Sequence, residues 1–283
     1  MTGRKKIAFQ GERGANSHIA CREVYPDYEP VPYPTFEEVF DSIERGETDL
    51  AMIPVENSTA GRVADIHHLL PQSQLHIIGE YFLPVRHQLL GVPGASVADL
   101  KTVHSHPQAL DQCRDAIRGL GLTAVPSADT AGSAREVAQW ADPTRAAIAS
   151  LLAAEVYGLE VLRGDIEDHD HNTTRFIILS PEDLRAAAGI GPIVTTFVFK
   201  VRNVPAALYK ALGGFATNGI NMTKLESYMV NGEFFATQFL SDIEGHPDEL
   251  PVGRAFEELA FFADYRILGV YRANPFRGRL MSS

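Results

Sequence analysis

Apolar and polar positions along the first two thirds of the chain follow two different periods, and the period switches repeatedly. Short apolar runs suited to buried strands occupy Lys6 to Gln10, Leu50 to Val55, Leu75 to Tyr81, Leu89 to Val92, Thr102 to His104, Leu122 to Val125 and Ala146 to Ala149. Between them apolar residues recur at three- and four-residue spacing, as at Phe36, Val39, Phe40 and Ile43. That spacing predicts helices over Ser17 to Val24, Phe36 to Ile43, Val63 to Leu70, Pro107 to Leu120, Thr130 to Trp140 and Leu151 to Tyr157. Strands and helices in alternation imply βαβ units and largely parallel sheets, whose ligands sit at the carboxyl ends of the strands.

The pattern changes after Glu182 to Pro192, where an alanine-rich piece ends in Gly189-Ile190-Gly191-Pro192. Beyond it come a strand at Val194 to Val201, a helix at Ala206 to Thr217, strands at Asn221 to Val230 and Phe234 to Asp242, a helix at Val252 to Ala263 and a strand at Tyr265 to Tyr271. This β-α-β-β-α-β order is the ferredoxin-like arrangement. The expected organisation is an α/β protein with one domain over residues 1–182 and a second over residues 193–273. So small a second unit leaves a sheet edge or a helix face available to a copy of itself. The tail from Asn274 to Ser283 is expected to fray.

A length of 283 residues suits about two domains, and 45% hydrophobic with 22% charged residues is ordinary for a globular chain. The net charge of −11 argues against a nucleic-acid partner. It also means that an anionic ligand would need a local positive site within an acidic field. Cys21 and Cys113 have no metal spacing and read as buried free thiols of a reducing cytosol. Arg4-Lys5-Lys6 runs straight into a short strand rather than a long apolar stretch, so no export signal is expected, and no window reaches membrane-spanning length.

Polar side chains gather where strands give way to helices. Gln10-Gly11-Glu12-Arg13-Gly14-Ala15-Asn16-Ser17 sets two glycines before a helix that Asn16 or Ser17 can cap, and an open helix N-terminus binds anions. The loop lacks the lysine of a P-loop, and a plain turn with its cap accounts for it equally well. Glu56-Asn57-Ser58-Thr59 carries more polar side chains than one cap requires. His104-Ser105-His106-Pro107-Gln108 places Pro107 at a favoured first helical position and lacks a third ligand at zinc-like spacing. Ser127-Ala128-Asp129-Thr130 is another such junction. Asn172-Thr173-Thr174-Arg175-Phe176 leads into Ile177-Ile178-Leu179, a strand on which Thr174 and Phe176 share one face while Arg175 takes the other or bends at the strand mouth. Alone, that stretch reads either as an edge strand with a solvated arginine or as a carboxylate-binding corner. Together the junctions lie at the carboxyl ends of strands and suggest one crevice lined by amides, hydroxyls and helix N-termini.

With Glu56-Asn57-Ser58, Ser105-His106-Pro107-Gln108 and Thr174-Arg175-Phe176 in that order, the chain resembles the prephenate dehydratases over residues 6 to about 272, and its C-terminal unit is similar to the small-molecule-sensing ACT domain. The resemblance implies a catalytic domain of two α/β lobes around a cleft, like a periplasmic binding protein, with no metal or organic cofactor. The implied reaction expels the ring carboxylate of prephenate as CO2 and the C4 hydroxyl as water, giving phenylpyruvate for phenylalanine synthesis. Aromatisation drives it, so the enzyme mainly positions a dianion and assists the leaving hydroxyl.

The resemblance carries over roles residue by residue. Arg175 would hold a substrate carboxylate as a bidentate fork. Thr174 matches the family's essential hydroxyl and is expected to hydrogen-bond the departing oxygen. Asn57, Ser58 and Gln108 would add donors, while Glu56 is either a proton source raised by burial or a structural carboxylate. Ser17, Ser105 and Thr130 would mark helix N-termini whose amides bind the anion, and Phe176 would pack against the ring or within the core. In the C-terminal unit Ala207, Leu208, Asn221, Leu225, Glu226 and Ser227 are the candidate contacts for phenylalanine as effector. There the match is looser, because Ala206 stands where relatives have glycine and Tyr228-Met229 replaces an Arg-Pro pair. The further expectations are a cytoplasmic homodimer or homotetramer joined through ACT domains, with neither a nucleic-acid nor a membrane partner. Arogenate, the aminated relative of prephenate, is an alternative substrate, and a non-catalytic two-lobed sensor of small anions is an alternative function that would usually be exported.

Overall fold

The computed structural model describes residues 4–169, 171–202, 204–229 and 236–280. In chain order its first elements are β1 (Lys6–Gln10), α1 (Asn16–Val24), β2 (Glu29–Tyr33), α2 (Phe36–Glu44), β3 (Leu50–Asn57), β4 (Gly61–Arg62), α3 (Ile66–Gln72), β5 (His76–Pro84) and β6 (Gln88–Gly91). There follow β7 (Thr102–Ser105), α4 (Pro107–Gln112), α5 (Arg114–Gly119), β8 (Thr123–Pro126), α6 (Thr130–Trp140), β9 (Arg145–Ala149), α7 (Leu151–Tyr157), β10 (Glu160–Arg163) and β11 (Thr173–Ser180). The last are β12 (Ile193–Val201), α8 (Ala207–Thr217), β13 (Met222–Met229), β14 (Ala236–Glu244), α9 (Leu250–Phe262), β15 (Ala263–Arg272) and α10 (Phe276–Leu280). Val230, Phe234 and residues 281–283 of the expected elements lie outside the described residues.

The chain packs as two compact units. The first runs to Val63 and takes in Phe82–Phe176; the second combines Ala64–Tyr81 with the chain from Ile177 onward. In the first unit β1 lies between β2 and β3, parallel to both, and β11 borders β3. A separate sheet in the same unit has the order β10-β6-β9-β7-β8, in which β7 is parallel to β8 and β9 while β6 is antiparallel to β9 and β10. The two sheets' loops meet at Gly14, whose φ of 92° suits glycine and where a Cβ would come within 2.7 Å of the Ala153 backbone. Ser150 Oγ donates to the Gly14 carbonyl at 2.5 Å, so the turn after β1 is seated on the start of α7.

Besides the two-residue β4, two strands escaped the apolar pattern. β2 carries two prolines, Pro30 and Pro32, which suit an outer strand because proline supplies no ladder N–H. β10 is mostly exposed. The helix expected over Pro107 to Leu120 is divided at Cys113 (φ −124°, ψ 25°). Its second half is capped from a distance: the Asp168 carboxylate accepts from the amides of Arg114 and Asp115 at 2.9 and 3.1 Å.

In the second unit the strand order β13-β14-β12-β15 is antiparallel throughout, the ferredoxin-like order expected from sequence, and β15 continues to β5 through a parallel pairing. Phe197, Phe215 and Phe256, with ring centroids 5.0 to 5.6 Å apart, form the core beneath α8 and α9. The fraying expected of the tail does not extend to its start. Arg277 in α10 donates to both oxygens of Glu80 at 2.6 and 2.8 Å and reaches Asp242 at 3.3 Å, because those two buried carboxylates need a cation.

Candidate active site

The end of β3 and the start of β11 build the centre of the site in the first unit. Asn57 terminates β3, and its Oδ1 accepts from the amides of Thr59 and Ala60 at 3.0 and 2.9 Å, an Asx turn that folds the chain back on itself. Backbone amides only donate, so this pair fixes which end of the side chain is oxygen. Asn57 Nδ2 must then face β11, where it donates to Asn172 Oδ1 at 2.7 Å and to Thr174 Oγ1 at 2.9 Å. Thr174 is therefore an acceptor in that bond. Among the described residues its own proton has no acceptor, and its hydroxyl is left to donate into the cleft.

Two cavities meet at Thr174. The larger, about 720 Å³, is lined by the turn after β1, by Tyr33 and Pro34, and by Tyr157, Thr174 and Phe176. The smaller, about 440 Å³, is lined by Asn57, His87, Gln108, Gln112, Asn172 and Thr174, among others. Asn16, Asp129 and Thr130 border both. Such volumes suit a ring-sized substrate. At the rim of the larger cavity Arg135 clamps Glu12 with bonds of 2.8 and 3.0 Å. That bond, against the effect of burial, holds the Glu12 carboxyl below its usual range.

Of the three helix starts expected to bind an anion, α4 is capped by His106 and α6 by Asp129, whereas α1 has no side-chain cap and no acidic residue in its first turn. Ala15, Asn16 and Ser17 of that first turn line the larger cavity. An uncapped helix start facing a cavity supplies positive potential without a basic surface.

The expected site residues separate into groups. Thr174, Phe176, Ser17 and Thr130 border the larger cavity, and Asn57 and Gln108 the smaller. Ser105 is fully buried and donates to the Ile148 carbonyl at 2.6 Å, joining β7 to β9 rather than facing the cleft. Ser58 Oγ donates to the His171 carbonyl and accepts from the Thr173 amide, which clips the turn after β3 to β11. Arg175, expected as the carboxylate fork, is only 4% exposed, donates to Glu56 at 3.0 Å and stands 6.0 Å from the Phe82 ring centre. The reason is strand alternation, which puts Arg175 on the face opposite Thr174 and Phe176. Glu56 is occupied by the same pair.

In the second unit Ala207 and Leu208 open α8 and pack on its core. Asn221, Leu225 and Ser227 are exposed, but Glu226 lies on the opposite face of β13 and pairs with Lys224 at 3.2 Å, so the expected effector contacts do not all share one surface. Ala206 has φ 62°, the left-handed region that glycine occupies without strain.

Sequence reasoning missed Gln112 and His87 as members of the site, and it gave Asn172 and Thr59, which lie in two of its polar segments, no individual role. Gln112 lay inside what reads as one continuous helix, and its arrival depends on the break that Asp168 stabilises.

The chain is similar to known proteins along most of its length. Residues 7–184 match the prephenate dehydratase family profile. A bifunctional N-acyl-homoserine lactone acylase/prephenate dehydratase of Komagataeibacter europaeus is 51% identical over 98% of this chain and 99% of its own. Arogenate dehydratase/prephenate dehydratase 1 of Arabidopsis thaliana is 38% identical over 94% of this chain and 71% of its own. The crystal structure of Arthrobacter aurescens prephenate dehydratase in complex with L-Phe is 30% identical and superposes with a TM-score of 0.86, covering 95% of this chain and 90% of that one. The chain belongs to the prephenate dehydratase family and is an enzyme of the carbon–oxygen lyase class.

Proposed function

We propose that the chain converts prephenate to phenylpyruvate, and the observation that carries this reading is the Thr174 hydroxyl, held as an acceptor by Asn57 with its proton turned to the cleft. The ring carboxylate leaves as CO2, its bonding pair enters the ring, and the C4–O bond breaks as the ring becomes aromatic. The departing oxygen takes a proton and leaves as water. Threonine is too weak an acid to release that proton outright, so Thr174 donates a hydrogen bond that strengthens as negative charge grows on the oxygen, and the net proton comes from solvent. The uncapped start of α1, at Ala15, Asn16 and Ser17, binds a substrate carboxylate. Phe176 and Thr130 shape the cavity wall, Gln108 and Asn57 its polar side, and the buried Arg175–Glu56 pair holds β3 against β11.

The C-terminal unit is an ACT domain that senses L-phenylalanine and joins copies of the chain, in the cytoplasm. Its βαββαβ order and the L-Phe complex of the Arthrobacter relative support this reading. The exposed positions Leu225 and Ser227 on β13 are the surface that would meet the effector.

Ultraviolet detection of phenylpyruvate from purified protein and prephenate tests the main reading, with arogenate and release of phenylalanine as the parallel arm suggested by the Arabidopsis relative. No product from either would overturn it in favour of a binding protein. The 51% identity with the Komagataeibacter protein motivates a second reading, an added acylase activity on N-acyl-homoserine lactones, for which release of free fatty acid is the assay.

A further inference from the structure

The side chains behind Thr174 form a closed circuit. Gln112 Nε2 donates to Thr59 Oγ1 at 2.7 Å, Thr59 Oγ1 donates to Asn57 Oδ1 at 2.8 Å, Asn57 Nδ2 donates to Asn172 Oδ1 at 2.7 Å, and Asn172 Nδ2 donates to Gln112 Oε1 at 2.9 Å. Every bond runs in the same sense around the ring, an arrangement in which each bond polarises the next. The sense is not arbitrary. The amides of Thr59 and Ala60 fix the Asn57 oxygen, which fixes Asn172, which in turn leaves Gln112 only one orientation.

Besides Thr174, a buried histidine outside the ring touches it. His87 Nε2 lies 2.9 Å from Gln112 Oε1, an atom that can only accept, so His87 carries its proton on Nε2 and donates. The ring of His87 is buried, and its backbone is held on both sides: its amide donates to Glu167 Oε2 at 2.9 Å and its carbonyl accepts from Ile166 at 2.9 Å. Burial lowers the affinity of the imidazole for a second proton, against the opposing bond to Gln112 and the charge of Glu167, so the neutral form is the working one.

We propose that His87 is a positioning residue for Thr174: its Nε2–H holds Gln112 Oε1 in place, and through Gln112 the Asn172 carboxamide that shares Asn57 Nδ2 with Thr174, so that the Thr174 oxygen is held at one point of the cleft wall. The proposal rests on the dehydratase reading and names what steadies the donor in that site. Without the His87 proton, Gln112 Oε1 loses one of its two donors and the Gln112 and Asn172 side chains can shift, while the Asn57 oxygen stays on the Thr59 and Ala60 amides. Asn57 Nδ2, less firmly placed on its Asn172 side, then holds Thr174 Oγ1 less firmly.

Three measurements decide it. His87→Phe fills the same space without a donor and should lower kcat by about tenfold, the scale of one oriented hydrogen bond, with KM within about twofold. His87→Gln restores an N–H and should recover most of the loss. In a Thr174→Ala background His87→Phe should have almost no further effect, because a residue that acts through Thr174 has nothing left to orient. Equal losses in both backgrounds, or full kcat for a folded His87→Phe, would overturn the proposal. If His87→Phe does not fold, nitrogen-15 imidazole shifts of the wild-type protein decide instead: the Nε2–H tautomer supports the proposal and the Nδ1–H tautomer overturns it. Wild-type protein without turnover on prephenate or arogenate would defeat the dehydratase reading itself, a result distinct from either.

Discussion

The molecule has two polar clusters built on opposite plans. In the second unit Glu80, Asp242 and Arg277 form a charged knot in which Arg277 donates to both carboxylates, while the Thr196 hydroxyl donates to Asp242 and meets the Tyr271 hydroxyl. In the first unit Gln112, Thr59, Asn57, Asn172 and Thr174 are all neutral, and one hydroxyl proton is left unmatched at the cavity wall. Buried charge costs a great deal unless it is paired, so a charged cluster is forced to closure and serves the fold. A neutral ring can leave one donor over at much smaller cost. That surplus donor is where a reacting oxygen can be bound.

The largest expected effect comes from opening the charged knot. Arg277→Met removes the guanidinium that both buried carboxylates share and should destabilise the protein by about 3–5 kcal/mol. Thermal or urea unfolding measures it; a loss below about 1 kcal/mol would mean that water replaces the guanidinium and that the knot is not closed. Thr174→Ala is the matching cut in the neutral cluster. Its stability should change little while turnover falls by about two to three orders of magnitude, the scale of one lost oriented donor. Rates near wild type would remove Thr174 from the chemistry.

How far each cluster could be read from the sequence follows from where its bonds come from. The helices α6 and α7 begin and end where their periodicity and caps place them, and the βαββαβ order of the second unit is equally plain, because both depend on neighbours in sequence. Asn57, Thr174 and Gln108 were legible as polar residues at strand ends. The break at Cys113 was not, since the carboxylate that caps Arg114 and Asp115 belongs to Asp168, more than fifty residues on. Gln112 was hidden with it. Arg175 shows a different limit: alternation on β11 was visible beforehand, but only the partner Glu56 reveals that the guanidinium serves the buried face. The Arg277 latch was invisible for the same reason, as Glu80 and Asp242 come from distant strands.

Arg175→Lys sharpens the comparison at intermediate scale, because this buried pair lies beside the neutral ring yet follows the charged plan. A lysine keeps the charge near Glu56 but loses the planar fork. The expected result is a lower melting temperature with substrate KM within about twofold, since the side chain faces away from the cavity. A rise in KM of about tenfold or more would return Arg175 to the role of carboxylate ligand.

The smallest effect tests whether the cleft loop is softer than the charged knot. His18 in α1 stacks on Phe9 with centroids 5.3 Å apart, and its Nδ1 accepts from the Gly14 amide at 3.0 Å, so the neutral ring holds the turn that carries Ala15, Asn16 and Ser17 to the cavity. Burial first, then the charges of Arg22 and Arg13, pushes the His18 pKa down to about 4 from 6.5. In the unfolded chain the ring takes up a proton near 6.5, whereas the folded chain resists until about 4, so in that window the unfolded state binds more protons and stability falls as the pH is lowered. The contribution is complete above about 6.5 and is lost progressively as the pH drops toward 4. His87 is shifted in the same direction and contributes with the same sign, so the useful quantity is the difference between wild type and His18→Gln, whose amide oxygen can still accept from Gly14. The wild-type melting temperature should decline more steeply than the variant's between pH 6.5 and 4.5, with substrate affinity declining alongside it as the anion-binding turn loosens. Parallel curves would show that the turn does not depend on the neutral imidazole. The cleft would then be as firmly set as the knot of Glu80, Asp242 and Arg277.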